Sequence, residues 1–309
     1  MTTYARLSGL VVVIFAQLLL IIHCPANEKP PREGRLMMGF YSYSMSEMAN
    51  RSDIEVSLNF WAKELLAEES KKMNIHLTET GAILFDTVEE MHDAVLRGEL
   101  DMVVAPPLLL AKNFKRNELT DGFTGMLAGQ KWDDILLIAR NDKKIAGVKD
   151  LRGKKFLMLD NDELAEIFID TLFLTQFKKG YQKIVSSVQQ QKKASRIVLD
   201  IFFNKADAGV VYRNAYEVTT ELNPEIANTI TILDYYPIKS RNFSYFVHGW
   251  PFSNDLIKVA LTSLKDSVKA KQILEVFKTP ELGICKLEEL DKFEKFYSDY
   301  LKLKRTAGK

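Results

Sequence analysis

Two stretches of this chain state one pattern twice. Residues 94–107 read AVLRGELDMVVAPP and residues 200–214 read DIFFNKADAGVVYRN. In each, a helix-like apolar run meets a tight turn, at Gly98 in one and Asn204 in the other, both residue types that close helices in the left-handed conformation. An aspartate, Asp101 or Asp207, then opens a β-branched apolar run that stops at loop-forming residues. A helix leading straight into a buried strand is half of a parallel-sheet unit. Its repetition predicts two α/β lobes of similar design, with a cleft between them.

The first residues bear on compartment. Arg6 precedes an uncharged apolar run over residues 7–22, followed by Cys24-Pro25-Ala26. A charged start, an apolar stretch and a small-x-small site form the pattern of a secretory signal, expected here as residues 1–26. The run is short for a membrane span, which needs about 20 apolar residues. A retained, uncleaved anchor is the alternative. With the leader removed, Cys285 is the one remaining cysteine of the two, so no intrachain disulfide is available. The fold must then rest on its core, for which a 47% hydrophobic composition supplies ample material.

Charge excludes some partners. The chain carries 42 basic and 41 acidic residues, a formal net charge of +1. That balance gives no overall footprint for nucleic acid or an anionic membrane. Enzyme signatures are also missing. The four histidines are widely spaced, and no zincin, nucleophile-elbow, phosphate-loop or dinucleotide glycine pattern occurs. The expectation is a non-enzyme without cofactor or metal. His92, beside Asp93, reads as a solvated helix residue and Cys285 as a structural thiol.

Periodicity predicts strands over residues 35–41, 76–85, 100–105, 135–140, 155–159, 206–212 and 229–234. Ser52 with Glu55, and Thr87 with Glu90, have capping-box spacing ahead of helices. Further helices are expected from residue 163 and over 195–203, 253–277 and 287–303; residues 181–188 fit either a strand or a short helix. No low-complexity linker separates the lobes, which predicts interleaving rather than a string of domains.

The ordered phrases AVLRGELDMVVAPPLLLAK, DDILLIARNDKKIAGVKDLRGKKFLML and FFNKADAGVVYRN resemble the phosphate/phosphite/phosphonate substrate-binding family of ABC transporters. The resemblance spans roughly residues 35–300. It implies the type 2 periplasmic-binding fold, α/β with two lobes, each a mixed, mainly parallel sheet flanked by helices. Residues 34–130 and 235–309 would form one lobe and 131–234 the other, with crossings near 129–132 and 234–237. It also implies a periplasmic solute-binding protein that takes a small-molecule ligand and meets the membrane permease of an ABC importer. A sensor of the same fold, docking on a membrane kinase or cyclase, fits the same residues.

In such sheets ligands bind at the carboxyl ends of strands. The expected site is therefore Tyr41, Tyr43 and Ser44 after the first strand, with Thr87, Pro106, Asp160, Asn161, Asp162, Tyr212 and Arg213 after others. One departure bears on the ligand. Where the family places a hydroxyl-rich turn at a helix N-terminus, this chain has Asp160-Asn161-Asp162-Glu163. Free N–H groups and the helix dipole make such a turn an anion site. Here an aspartate either fills that site or caps the helix. Phosphate is disfavoured, an apolar, aromatic or cationic ligand is favoured, and Arg213 is free by type to clamp a carboxylate.

Overall fold

A computed structural model describes residues 32–45, 51–126, 132–262, 264, 267–276 and 281–307. The expected signal and most of the first expected crossing lie outside the described residues.

The elements run in the order β1 (Arg32–Tyr41), α1 (Arg51–Phe60), β2 (Ile75–Phe85), α2 (Val88–Leu96), β3 (Met102–Ala105), α3 (Pro107–Asn113), β4 (Leu119–Thr120) and β5 (Gly122–Met126). After residues 127–131 come β6 (Ile135–Arg140), β7 (Lys155–Leu159), α4 (Glu163–Phe177), β8 (Ser187–Gln191), α5 (Ala194–Phe202), β9 (Ala208–Tyr212), α6 (Arg213–Leu222), α7 (Glu225–Thr229) and β10 (Ile230–Tyr236). The chain ends with β11 (Phe243–Val247), α8 (Ser253–Leu261), α9 (Val268–Val276), β12 (Glu281–Cys285) and α10 (Asp291–Ala307).

Two five-stranded sheets result, ordered β2-β1-β3-β11-β4 and β10-β6-β9-β7-β8, with a separate β12-β5 pair. In the first sheet β1 and β3 are parallel, and β11 runs against both β3 and β4. In the second, β7, β8 and β9 are parallel, and β6 runs against both β9 and β10. In each sheet the strand entering after the chain has left the other sheet runs against both of its neighbours. The lobes are interleaved.

The repeated phrase forms the same structure in both. Gly98 and Asn204 take positive φ, +71° and +60°. Asp101 then exchanges backbone hydrogen bonds with Met37 of β1, accepting from its N–H through Oδ2 at 2.8 Å. Asp207 does the same with Lys155 of β7, also at 2.8 Å.

Two apolar clusters support the sheets. One lies on the first sheet and is built from Leu36, Met38, Ile54, Leu58 and Phe246. The other runs from the second sheet through Phe243 and Phe293 to α2 and α3, so it is shared between lobes. Gly122 lets β5 lie on β11: a Cβ there would stand 2.0 Å from the Ser244 carbonyl oxygen.

Several expectations need correcting. The single helix expected over 253–277 is interrupted: among the described residues α8 ends at Leu261 with Thr262 as its C-cap, and α9 begins at Val268. Residues 181–188 hold both alternatives, a 3-10 turn at Tyr181–Lys183 and then β8. His92 is not solvated: its Nε2 lies 2.9 Å from Glu118 Oε2, and its ring packs edge-on to Phe114.

Candidate functional site

The carboxyl ends of β1 and β7 meet at a cavity of about 290 Å³. The first lobe supplies Tyr41 and Leu109; the second supplies Met158, Leu159 and Asn161, the carboxylates of Asp162, Glu163 and Glu166, and Tyr181 with Gln190. Chain direction places them there. β1 ends at Tyr41, α3 begins at Pro107 and turns Leu109 toward the cavity, and β7 delivers residues 160–162 to the start of α4.

The turn before α4 has a defined geometry. Asn161 takes φ +53°, a left-handed conformation that asparagine tolerates better than most residues. Asp162 is the N-cap of α4, its Oδ1 accepting from the Ala165 N–H at 3.1 Å. Its Oδ2 is shielded from solvent and unpaired. The Tyr212 hydroxyl stands beside that carboxylate without full hydrogen-bond geometry, and burial, reinforced by the Asp162 charge, pushes its pKa well above the usual tyrosine value. Glu163 reaches across the cleft to Lys112 of α3 at 2.5 Å. Glu166 accepts from the Tyr181 hydroxyl at 3.0 Å, and Tyr181 is pushed up to about 12, first by burial and then by the charge of Glu166.

Tyr41 feels the same field from the other lobe. Its pKa is raised by burial, then by Tyr43, Glu89, Asp162 and Glu163. Its ring lies 5.7 Å from that of Tyr43, which is exposed. Ser44 is buried and donates to the Tyr41 carbonyl at 2.9 Å, fixing the turn rather than facing the cavity. Thr87 is the N-cap of α2, accepting from the Glu90 N–H at 3.1 Å. Its neighbour Asp86 takes hydrogen bonds from Ser42 and Arg51, which ties that loop to the one after β1.

Of the ten expected site residues, the structure therefore brings Tyr41, Asn161 and Asp162 to the cavity wall, with Tyr212 behind Asp162. Asp160 donates its backbone N–H to Gln191 and is half-buried. Pro106 precedes α3 without lining the cavity. Arg213 turns away: its guanidinium binds Asp134 at 2.7 and 3.0 Å, and Glu217 lies 3.8 Å off. That carboxylate pairing leaves no open fork for a ligand.

Residues that the sequence reading passed over complete the site. Glu166 stands four positions after Asp162, a spacing that sets both on one helix face. Tyr181, Lys112 and Arg241 have no local signal; Arg241 stacks its guanidinium over the Tyr212 ring at 5.1 Å from the segment joining β10 to β11. Among the described residues no group of three acidic, histidine or cysteine side chains could hold a metal ion, and no helix is long and apolar enough to cross a membrane.

The C-terminal helix reaches this wall along two routes. Tyr297 carries Lys112 over its ring at 5.0 Å, and Lys112 holds Glu163. Tyr300, one turn on, donates to Asp170 Oδ2 at 3.0 Å, while Asp170 Oδ1 accepts from the Tyr181 N–H at 3.2 Å.

Comparison with known proteins now places the chain. In fold it is similar to XAC2383 from Xanthomonas citri bound to chloride ion (TM-score 0.64, 12% identity, covering 88% of this chain and 99% of that one). It is also similar to PhnD1 from Prochlorococcus marinus in complex with methylphosphonate (TM-score 0.59, 15% identity, 88% and 99%). A binding protein component of an ABC phosphonate transporter from Pseudomonas aeruginosa gives TM-score 0.60 at 11% identity, covering 90% and 89%. No curated protein matches the chain in sequence. The fold is the two-lobed type 2 periplasmic-binding architecture with the cleft between its lobes. The model of the phosphonate-binding periplasmic substrate-binding proteins of ABC transporters matches residues 78–283, and the chain belongs to that family.

Proposed function

We propose that this protein is an exported solute-binding component that closes two lobes on a small molecule and delivers it to the permease of an ABC importer, with a ligand chemistry moved away from bare phosphate and simple phosphonates. The lobes are assigned as residues 33–126 with 238–290, and 132–236, with α10 spanning both. Family membership supports the binding role. The observation that carries the altered specificity is Asp162. It occupies the α4 N-terminus, where a helix dipole and free N–H groups would otherwise receive an anion. Glu163 and Glu166 add two carboxylates to the same wall. A ligand phosphate about 6 Å from any one of them would meet a repulsion of about 3 kcal/mol at an effective dielectric of ~20. An ammonium group beside Glu166 and the faces of Tyr41 and Tyr181 fits better.

The test is calorimetric titration with phosphate, methylphosphonate and aminoethylphosphonate at one salt concentration. The wild type should bind the first two weakly. A variant combining Asp160→Ser and Asp162→Ser, with Asn161 kept at its left-handed position, should bind them at least about tenfold more tightly, a change of about 1.4 kcal/mol. Micromolar binding of phosphate or methylphosphonate by the wild type would return the family's usual ligands to first place.

A further inference from the structure

Net charge conceals a strong polarity within the second lobe. The amino ends of β7, β8 and β9 and the carboxyl end of β6 lie at one end of the sheet, since Phe156 and Ala139 are both in register with Ala208 and Lys155 with Ser187. The loops gathered there are residues 141–155, 178–187 and 203–207. They hold six, three and one lysine or arginine against two, none and one aspartate. Glu221 and Glu225 add two acids at the β10 edge, and Asp200 near the end of α5 adds a third, so cations still outnumber acids at this end. At the other end, facing the cleft, stand Asp133, Asp134, Asp160, Asp162, Glu163 and Glu166, against Lys192, Lys193 and the Asp134-bound Arg213, so the excess there is acidic.

Eight of the ten cations are exposed: Lys183, Lys205, which pairs with Asp200 at 3.2 Å, and a set of six, Lys144, Lys149, Arg152, Lys155, Lys178 and Lys179. The ion pairs at this end involve other residues, such as Lys143 with Asp207 at 3.7 Å and Arg140 with Asp142 at 2.8 Å. Among the described residues none of the six is in an ion pair. The backbone argues that the charge is not incidental. Lys144 and Lys178 both take left-handed φ, +53° and +56°, positions where glycine or asparagine is the less strained choice. Lys178 gains from the α4 dipole; Lys144 follows a three-residue turn and has no such compensation. An aromatic side chain joins the cations: Phe203, at the end of α5, is 60% exposed.

We propose that this end of the second lobe is a docking face for an anionic lipid surface. Lysine is depleted in protein–protein interfaces, whereas spread lysines around a protruding aromatic suit headgroup phosphates and the interfacial zone beneath them. The face lies opposite the strand ends that form the cavity. The protein would therefore rest on a bilayer with its cleft directed away from it, held near the membrane between deliveries.

The experiment uses the protein purified after export and vesicles of phosphatidylcholine with or without phosphatidylglycerol. Co-sedimentation at low salt should show binding to the anionic vesicles that weakens as salt rises. Combining Lys149→Gln, Arg152→Gln, Lys178→Gln and Lys179→Gln should weaken it on the order of tenfold or more. Since any retained leader also binds lipid, a Phe203→Cys variant labelled with a polarity-sensitive dye gives a local readout, and its emission should shift to the blue only with anionic vesicles. Equal binding by wild type and fourfold variant, or a dye that stays in water, would overturn the proposal. So would soluble poly-glutamate binding the wild type while vesicles do not, which would assign the face to an acidic protein.

Discussion

Asp207 binds the second sheet together as Asp101 binds the first: each carboxylate accepts the N–H of the strand alongside, and each backbone N–H donates back to the same residue. The two differ in setting. Asp101 receives the Arg35 guanidinium at 3.1 Å through two nitrogens, whereas Asp207, 19% exposed, has Lys143 only at 3.7 Å. Asp101→Ala should therefore cost about 2–4 kcal/mol and Asp207→Ala about 1–2 kcal/mol in urea unfolding, since a hydrogen bond to a charged group contributes about 1.5–3 kcal/mol when shielded. Equal losses would show that the shared geometry, and not the added guanidinium, sets the energy.

The ion pair between Lys112 and Glu163 spans the cleft. Lys112→Glu should set like charges against each other and expand the ligand-free protein, read as a larger radius of gyration in X-ray scattering. Adding Glu163→Lys should restore the compact value. The pair is partly exposed, so wild-type compaction should also weaken above about 0.15 M salt. A swap that fails to recover compaction would remove the pair from any role in closure.

Tyr300→Phe removes one hydrogen bond from buried Asp170 and should cost about 1–2 kcal/mol. Asp170→Ala should cost more, because it also strips the partner from the Tyr181 N–H. Amide exchange at Tyr181 should accelerate in Asp170→Ala and stay slow in Tyr300→Phe. Fast exchange in both would mean that Tyr300 fixes the carboxylate's position.

Alkaline conditions should weaken the fold in a defined window. Burial pushes Tyr181 and Tyr236 up to about 12. Between about pH 10, the value for a free tyrosine, and pH 12 the unfolded chain ionises these groups and the native chain does not. Their contribution is thus intact below pH 10 and is lost as pH rises to 12. Absorbance titration at 295 nm should show late-ionising tyrosines in native protein that titrate normally in guanidinium.

Cys285 is fully buried and lies 3.2 Å from the Tyr245 hydroxyl, and burial pushes its thiol well above the ordinary range. Thiol reagents should leave it unmodified in native protein at pH 8 and react at the rate of global unfolding. Prompt native labelling would contradict that burial.

The sequence carried the central strands because they are short apolar runs bounded by turns. β6 and β7 stand over the residues expected, and Thr87 caps α2 as its spacing implied. β11 was not legible: FSYFV is brief, and it pairs antiparallel to a strand far back in the chain, so its identity depends on contacts that no local pattern encodes. α6 follows β9 without any connecting residue, which hid it in the loop expected there. At the site, Tyr41 and the 160–162 turn could be read because strand ends predict cleft residues. Arg213 shares that position but turns to Asp134, a partner 79 residues away, and Tyr181 reaches the cavity from a turn with no motif.

The C-terminal helix sets how the lobes can move. Its first turn belongs to the first lobe, through Phe293 against Phe243 and Asp291 with Arg116 at 2.5 Å. Its later turns touch both lobes, the second through Phe296 on Tyr236 and Tyr300 on Asp170 and the first through Tyr297 under Lys112. Seventeen residues make a rod about 25 Å long, clamped near one end to each moving body. In the proposed binding cycle, a rod seated on both lobes would have to yield as they rotate apart. Opening would then loosen its contacts with α4 or with α3, which makes the angular range of the cleft depend on roughly the final dozen residues as well as on the crossing strands.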